Sequence, residues 1–146
     1  YSKAGSTEDI KNEIDRMVRE EKLSLKQAEC IKLKDIDTFA GSSIGERIKR
    51  AYAYGGVKRE QPFVFEYDRQ LVQGVIDLYF IEDGQLVIVD YKTDRVLRGR
   101  AGEDELRRRY SIQLDYYAMA LSQITGLKVK EKVIYSFALG RSLTVE

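Results

Sequence analysis

The dipeptide Asp83-Gly84 constrains the fold more than any other feature of this sequence. It separates two runs rich in Val, Ile, Tyr and Phe, residues 75–82 and 85–92, and an Asp-Gly between such runs is the strongest short-range signal for a β-hairpin. A two-residue turn determines the register of the strands, and counting outward from it places Asp77 opposite Asp90. The sequence therefore predicts two facing carboxylates within apolar strands.

Facing carboxylates on an apolar strand surface require a positive partner. The Cβ atoms of directly opposed residues lie about 5 Å apart. Two carboxylates at that distance repel by roughly 3 kcal/mol at an effective dielectric of about 20. Lys92 is two residues beyond Asp90 and therefore on the same face, where the register places it opposite Val75. One ammonium cannot neutralise both acids, so we predict a divalent cation, Mg²⁺ with Mn²⁺ as a substitute, bound by oxygen ligands.

A salt cluster on a solvated sheet face is the plainer interpretation of these three charges. Against it, the register places apolar side chains beside them, and the alternate positions are apolar as well, so we expect both faces of the sheet to be covered. The side chains predicted to share the face of the acids are Val75, Tyr79, Leu86 and Ile88, and those on the opposite face are Ile76, Leu78, Phe80, Val87, Val89 and Tyr91.

A further carboxylate, Glu60, is a candidate metal ligand from the preceding strand. A tight turn near Asp68-Arg69 would place it opposite Asp77 or Val75. The turn residues are less distinctive than Asp-Gly, so both registers stay open.

Residue usage excludes several kinds of chemistry. This sequence has no histidine, and Cys30 is its only cysteine. It therefore cannot supply a Ser-His-Asp triad, a histidine-based metal site or a multi-cysteine zinc site. The 25 Lys and Arg residues nearly balance the 24 Asp and Glu residues, so an argument for DNA binding has to rest on local placement. No apolar run approaches the roughly 20 residues of a membrane span, and we expect a cytoplasmic protein without membrane contact.

Hydrophobic periodicity divides the chain into two parts of one α/β domain spanning residues 1–146. Residues 1–56 have the period of helices, and residues 57–146 begin with a three-strand meander. A long helix over residues 104–126 then leads to one last strand at residues 130–140. That order predicts a mixed sheet in which the last strand is reached by a crossover connection.

Three motifs that occur in order resemble those of the PD-(D/E)XK nuclease superfamily: GxID at residues 74–77, DYKTD at 90–94 and QxxxY at 113–117. The resemblance is to the RecB branch, and most closely to the C-terminal nuclease domains of AddA-type helicase-nucleases. It implies a restriction-endonuclease-like core and metal-dependent hydrolysis of DNA phosphodiester bonds in double-strand break repair and recombination. The alternative is a non-catalytic module of the same fold that binds DNA or a partner subunit.

The resemblance also implies roles for individual residues around the hairpin. Asp77 and Asp90 match the metal-binding acids of the family, and the Tyr91 carbonyl would be a further ligand. Lys92 matches the catalytic lysine, which would orient the attacking water and stabilise developing negative charge.

Residues that could hold DNA follow the hairpin. Gln113 and Tyr117 match the family's QxxxY pair, which lies beside the metal site and helps hold DNA. By residue type alone Tyr117 is more typical of a core. The connection after the hairpin is rich in arginine, and it predicts phosphate contacts by Arg95, Arg98 and Arg100.

The sequence departs from the family pattern in two ways. Many members have a histidine ligand on a helix before the first strand, and we expect that motif to precede residue 1 in a longer helicase-nuclease chain. The isolated fragment is then expected to bind metal weakly or to be inactive. Four cysteines hold an iron-sulfur cluster in AddB-type relatives, so no such cluster is expected here.

The resemblance further implies a separate part that uses ATP as a helicase and an AddB-like partner subunit in the bacterial cytoplasm.

Overall fold

The computed structural model describes residues 33–146, which form a five-stranded sheet with two short helices on one face and a long helix on the other. The helices predicted before residue 33 lie outside this range. The elements in chain order are α1 (Leu33–Ala40), α2 (Ser43–Ala53), β1 (Val57–Tyr67), β2 (Gln70–Glu82), β3 (Gln85–Lys92), α3 (Arg100–Thr125), β4 (Val129–Ser136) and β5 (Arg141–Val145). Within residues 33–146 no helix is both long and apolar enough to cross a bilayer.

The strands lie side by side in the order β1-β2-β3-β4-β5. Neighbouring strands are antiparallel except β3 and β4, which are parallel. Parallel strands need a crossover connection, and α3 provides it. The predicted mixed α/β sheet with a crossover strand is therefore confirmed. The long helix ends as predicted at Gly126, a left-handed C-cap with φ of 73°.

Each face of the sheet is covered by apolar side chains from its helices. The buried cluster under α1 and α2 consists of Phe39, Ala40, Ile44, Ile48, Ala51, Leu78, Phe80, Val87, Val89, Tyr91, Val133, Tyr135 and Phe137. The cluster under α3 consists of Phe63, Phe65, Ile76, Tyr79, Leu86, Ile88, Leu106, Leu114, Tyr117, Ala120, Leu121, Ile134, Leu143 and Val145. Because β3 contributes to both clusters and lies in the middle of the sheet, its side chains are held in place from both sides.

Two elements differ from the prediction. The long helix begins at Arg100, four residues before the predicted start, and it includes Gly102. A Cβ atom at Gly102 would lie 1.6 Å from the Leu97 carbonyl oxygen, so this glycine allows the connection to pass closely against the first turn. The strand β5 was not predicted, because its alternating pattern has only two apolar residues, Leu143 and Val145.

The alternation of faces is interrupted in the middle of β1 and β2. Glu60 has a φ of 53°, which non-glycine residues in strands rarely adopt. Its neighbours keep the register, so Glu60 lies opposite Asp77, one of the two predicted positions. Residues two positions apart in a regular strand share a face, but Ile76 packs under α3 and Leu78 packs under α1 and α2. The predicted face of Ile76 was therefore wrong, and so was the predicted cover over Val75, which is 51% exposed.

The contact between α1 and α2 depends on Gly45, and we expect Gly45→Ala to destabilise the domain by about 1 kcal/mol. The new Cβ would lie 2.2 Å from the Phe39 carbonyl oxygen and 2.8 Å from that of Ala40. Relieving such a clash costs about 1–3 kcal/mol, and the better helix propensity of alanine offsets about 1 kcal/mol of it. Urea denaturation measures the difference.

Gly41→Ala is the matched control for this substitution. Its Cβ would lie 3.5 Å from the Asp37 carbonyl oxygen, an ordinary contact, so its free energy of unfolding should stay within about 0.5 kcal/mol of wild type. Equal values for the two variants would contradict the proposed role of close helix contact at Gly45.

Candidate active site

The β2–β3 hairpin has the register that the sequence predicts. Its turn residues, Asp83-Gly84, have φ values of 56° and 76°, as a type I′ turn requires. The paired residues extend from the turn to Leu78 and Val89. Asp77 and Asp90 occupy the next position, where the regular ladder between the two strands has ended.

Asp77 joins the separating strands through its side chain. Its Oδ2 accepts a hydrogen bond of 2.8 Å from the backbone N–H of Tyr91. The N–H and carbonyl of one strand residue point to the same side, so the Tyr91 carbonyl is directed toward the same gap. The carboxylate of Asp77 and the backbone of Tyr91 thus come together beside Asp90.

Asp90 is a buried acid, with only 2% of its surface exposed. Its Oδ2 lies 2.9 Å from Lys92 Nζ and forms an ion pair with it. The angles of this contact are not those of a hydrogen bond, and this oxygen accepts no hydrogen bond from the described residues. Burial raises the pKa of Asp90 well above its usual range, and the carboxylate of Asp77 raises it further, although Lys92 has the opposite effect. Lys92 alone therefore does not keep Asp90 fully ionised at neutral pH.

Lys92 has partners on α3 as well as on its own strand. Its Nζ donates a 3.2 Å hydrogen bond to Gln113 Oε1 and lies 4.0 Å from the centre of the Tyr110 ring. Sequence reasoning did not select Tyr110. The signal that could have found it is its spacing, since it lies three residues before Gln113 and hence on the same helix face.

Tyr117 lies deeper than Gln113 and is mostly buried. Its ring packs edge-on against Phe63, with 5.5 Å between the ring centres. Burial raises the pKa of Tyr117, and the charges of Asp90 and Asp77 raise it further. The structure thus brings Gln113 of the QxxxY motif to the predicted lysine, and Tyr117 has the core packing that its residue type suggested.

Glu60 lies opposite Asp77 in the strand register, but its side chain does not join the two acids. Its side chain is exposed and lies 3.5 Å from the Arg59 guanidinium. Among residues 33–146 there is no group of three or more Asp, Glu, Cys or His side chains close enough to share a metal ion. A metal-binding role for Glu60 stays a prediction.

The arginines of the connection lie at the surface. Arg95 and Arg98 are exposed and precede α3. Arg100 belongs to the first turn of α3, where its side chain is 91% exposed and 3.8 Å from Asp104. Solvent-facing guanidinium groups of this kind are available for phosphate contacts, and their role with DNA stays a prediction.

The chemistry of the donor set fits a divalent cation. Asp77 and Asp90 are held next to each other by the end of the hairpin, and one Asp90 oxygen is buried without a hydrogen bond. Buried carboxylates are stable when they are paired or coordinate a metal. Lys92 is the adjacent cation and can balance only one carboxylate, and hard oxygen ligands of this kind suit Mg²⁺ or Mn²⁺.

Comparison with known proteins identifies the family. The family described as the PD-(D/E)XK nuclease superfamily matches residues 2–143. The chain is 34% identical, over 94% of its length, to the AddA-type ATP-dependent helicase/nuclease of Clostridium novyi, and 40% identical, over 94% and 93% of its length, to those of Thermoanaerobacter sp. and Acetivibrio thermocellus. It spans 12% of the length of each of these relatives. Since the match covers nearly the whole sequence and includes the hairpin and α3, the chain belongs to the PD-(D/E)XK nuclease superfamily.

Proposed function

We propose that this chain is the nuclease domain of a helicase-nuclease of the AddA type, and that it hydrolyses DNA phosphodiester bonds with the help of Mg²⁺. The observation that supports this best is the meeting of Asp77, Asp90, Lys92 and Gln113 at the point where β2 and β3 separate. PD-(D/E)XK nucleases generally use divalent metal ions. The names of the relatives describe an ATP-dependent helicase and nuclease.

Asp77, Asp90 and the Tyr91 carbonyl would hold the metal ion, with Glu60 as a further candidate ligand. When bound, the ion would polarise the scissile phosphate and make a water more acidic. Asp77 is positioned for this by its hydrogen bond with the Tyr91 N–H, which keeps one carboxylate at the end of the hairpin. Asp90 is positioned by burial in the middle strand, which leaves it little freedom to move.

Lys92 would act on the reacting phosphate itself. Its ammonium is held between Asp90 and Gln113, at 2.9 Å and 3.2 Å, and can donate to the attacking water and stabilise negative charge that develops on the phosphate. Because its side chain is still partly exposed, the substrate can approach the ammonium from solvent. The products would have 5′-phosphate and 3′-hydroxyl ends.

The remaining predicted residues would bind the rest of the DNA. Arg95, Arg98 and Arg100 would contact backbone phosphates, which gives affinity without sequence preference. Gln113 and Tyr117 would hold the strand beside the acids. The helicase part, which uses ATP, and an AddB-like partner subunit would belong to the longer protein, and its work would be the repair of double-strand breaks by recombination.

DNA cleavage by the full-length helicase-nuclease tests this function. Linear duplex DNA should be degraded with Mg²⁺ or Mn²⁺ and ATP, and EDTA should prevent this. The non-catalytic alternative predicts DNA or subunit binding that survives loss of Asp77 and Asp90, together with no domain-dependent cleavage. Cleavage that needs no divalent cation would contradict the proposal.

Metal binding can be measured separately on the 146-residue chain. A tenfold excess of Mn²⁺ over its dissociation constant should raise the free energy of unfolding by about 1.4 kcal/mol. Asp77→Asn keeps an oxygen that can accept from Tyr91 but removes the charge, so most of this gain should be lost. Asp68→Asn, at an exposed turn position of the β1–β2 hairpin, should keep the full gain. Equal stabilisation of both variants would exclude Asp77 as a ligand.

A further inference from the structure

Tyr110 contacts the catalytic-site lysine from α3 but belongs to none of the three family motifs. Its ring centre lies 4.0 Å from Lys92 Nζ, within the range of a cation–π interaction. We propose that Tyr110 is a positioning residue that holds the ammonium of Lys92 through its ring face and is itself held by Asp94 and Arg109. This inference rests on the proposed nuclease function and deepens it.

The ring of Tyr110 is held at its hydroxyl end. The hydroxyl donates a 2.5 Å hydrogen bond to Asp94 Oδ2, and the same oxygen accepts a 2.9 Å hydrogen bond from Arg109 Nη1. Arg109 is also paired with Glu105, one turn earlier on α3. Asp94 follows β3 and the other three residues lie on α3, so this group connects the helix to the end of the strand that contains the site.

The pKa shifts of Tyr110 and Asp94 favour this hydrogen bond at neutral pH. Burial raises the pKa of Tyr110 to about 12, and its hydrogen bond to Asp94 acts in the same direction, so the hydroxyl stays a donor at neutral pH. Burial alone would raise the pKa of Asp94, but the hydrogen bonds from Tyr110 and Arg109 lower it on balance. Asp94 therefore remains an ionised acceptor.

A lysine in this position needs a partner that does not depend on the acids. Its four-carbon side chain is flexible, and ordering it has an entropic cost. A cation bound by Asp90 competes with Lys92 for the same carboxylate, and this weakens the ion pair between them. The neutral ring face of Tyr110 is not a ligand for a hard cation, so its attraction for the ammonium is kept. Tyr110 thus holds Lys92 near the reacting phosphate in the state in which the reaction occurs.

Kinetics of the full-length enzyme with Mg²⁺ test the positioning role. Tyr110→Leu removes the ring and should lower kcat for DNA cleavage by about 10–100-fold, the usual effect of losing a supporting contact, with KM changed by less than about twofold. Tyr110→Phe keeps the ring and should stay within about fivefold of wild type. A wild-type kcat in Tyr110→Leu, or an equal loss in both variants, would overturn the inference.

Nuclear magnetic resonance of the metal-free 146-residue chain gives a second readout. The ring current of Tyr110 should displace the Hε resonances of Lys92 upfield, and Lys92→Ala identifies these resonances by their loss. The displacement should persist in Tyr110→Phe and disappear in Tyr110→Leu. Unshifted Lys92 resonances in the wild-type chain would overturn only the positioning role of Tyr110. A wild-type enzyme that does not cleave DNA would overturn the proposed nuclease function.

Discussion

Replacing Lys92 by Met in the full-length enzyme should lower the single-turnover rate of DNA cleavage by about 10²–10³-fold, the usual effect of removing one donor that stabilises developing negative charge. Met keeps the length and apolar character of the stem but has no ammonium. Since Lys92 is the basic side chain that the structure places beside Asp90, its loss also leaves the acid pair without its compensating charge. Binding of DNA to the arginines should change much less, so the loss should appear in the rate and not in KM.

Lys49→Met is a matched control for this measurement. Lys49 has nearly the same side-chain exposure as Lys92, 18% against 17%, and it is also paired with an acid, Glu46. It lies on α2, on the opposite face of the sheet from α3. The control should cleave DNA at the wild-type rate. An unchanged rate in Lys92→Met, or the same loss in both variants, would contradict a catalytic role for Lys92.

Asp90→Asn should stabilise the metal-free domain at pH 8 by about 1–3 kcal/mol, although it should abolish cleavage. Burial and the neighbouring Asp77 raise the pKa of Asp90 from 3.8 to about 7 in the folded protein. Above that pH the folded state holds a buried carboxylate that the unfolded state exposes to water. The asparagine has the same shape without this charge. An active-site residue is thus expected to lower the stability of the fold that holds it.

The stabilisation that Asp90→Asn causes should increase with pH. The folded carboxyl binds its proton more tightly than the unfolded one, so the contribution of Asp90 to stability is greatest below pH 4 and is lost as the pH rises to about 7. Urea denaturation in EDTA at a series of pH values should therefore show a difference between Asp90→Asn and wild type that is small near pH 4 and largest above pH 7.

Asp68→Asn is the control for the loss of one carboxylate. Asp68 is exposed and has a φ of 54°, a conformation that asparagine adopts as readily as aspartate. Its free energy of unfolding should stay within about 0.5 kcal/mol of wild type at every pH. An Asp90→Asn variant no more stable than wild type at pH 8 would show that the buried Asp90 carboxylate does not lower the free energy of unfolding. That result would contradict the inference that a cation compensates the acid pair.

Local sequence was sufficient where the structure depends on near neighbours. The turn at Asp83-Gly84 has one favoured geometry, so the register from Leu78 to Val89 could be counted without knowledge of the fold. Spacing of four on a helix predicted that Gln113 and Tyr117 share a face. The C-cap at Gly126 has a similar local cause, because glycine adopts a positive φ without strain.

Long-range packing decided the features that the sequence did not reveal. The face change at Glu60 depends on which helix covers each half of β1 and β2, and no residue type announces it. The early start of α3 depends on how closely Leu97 approaches Gly102. The contact of Tyr110 with Lys92 joins residues 18 positions apart, and it exists only because α3 crosses β3 at that point.

For this protein the sequence alone predicted the acids and lysine of the candidate site and the hairpin register that leads to Asp77 and Asp90, because a hairpin register follows from its turn. The tertiary structure decided the environment of those groups: the burial of Asp90, the exposure of Glu60 and the support of Lys92 by α3. Burial and charge interactions depend on atoms from distant parts of the chain, whereas strand register depends on a few adjacent residues.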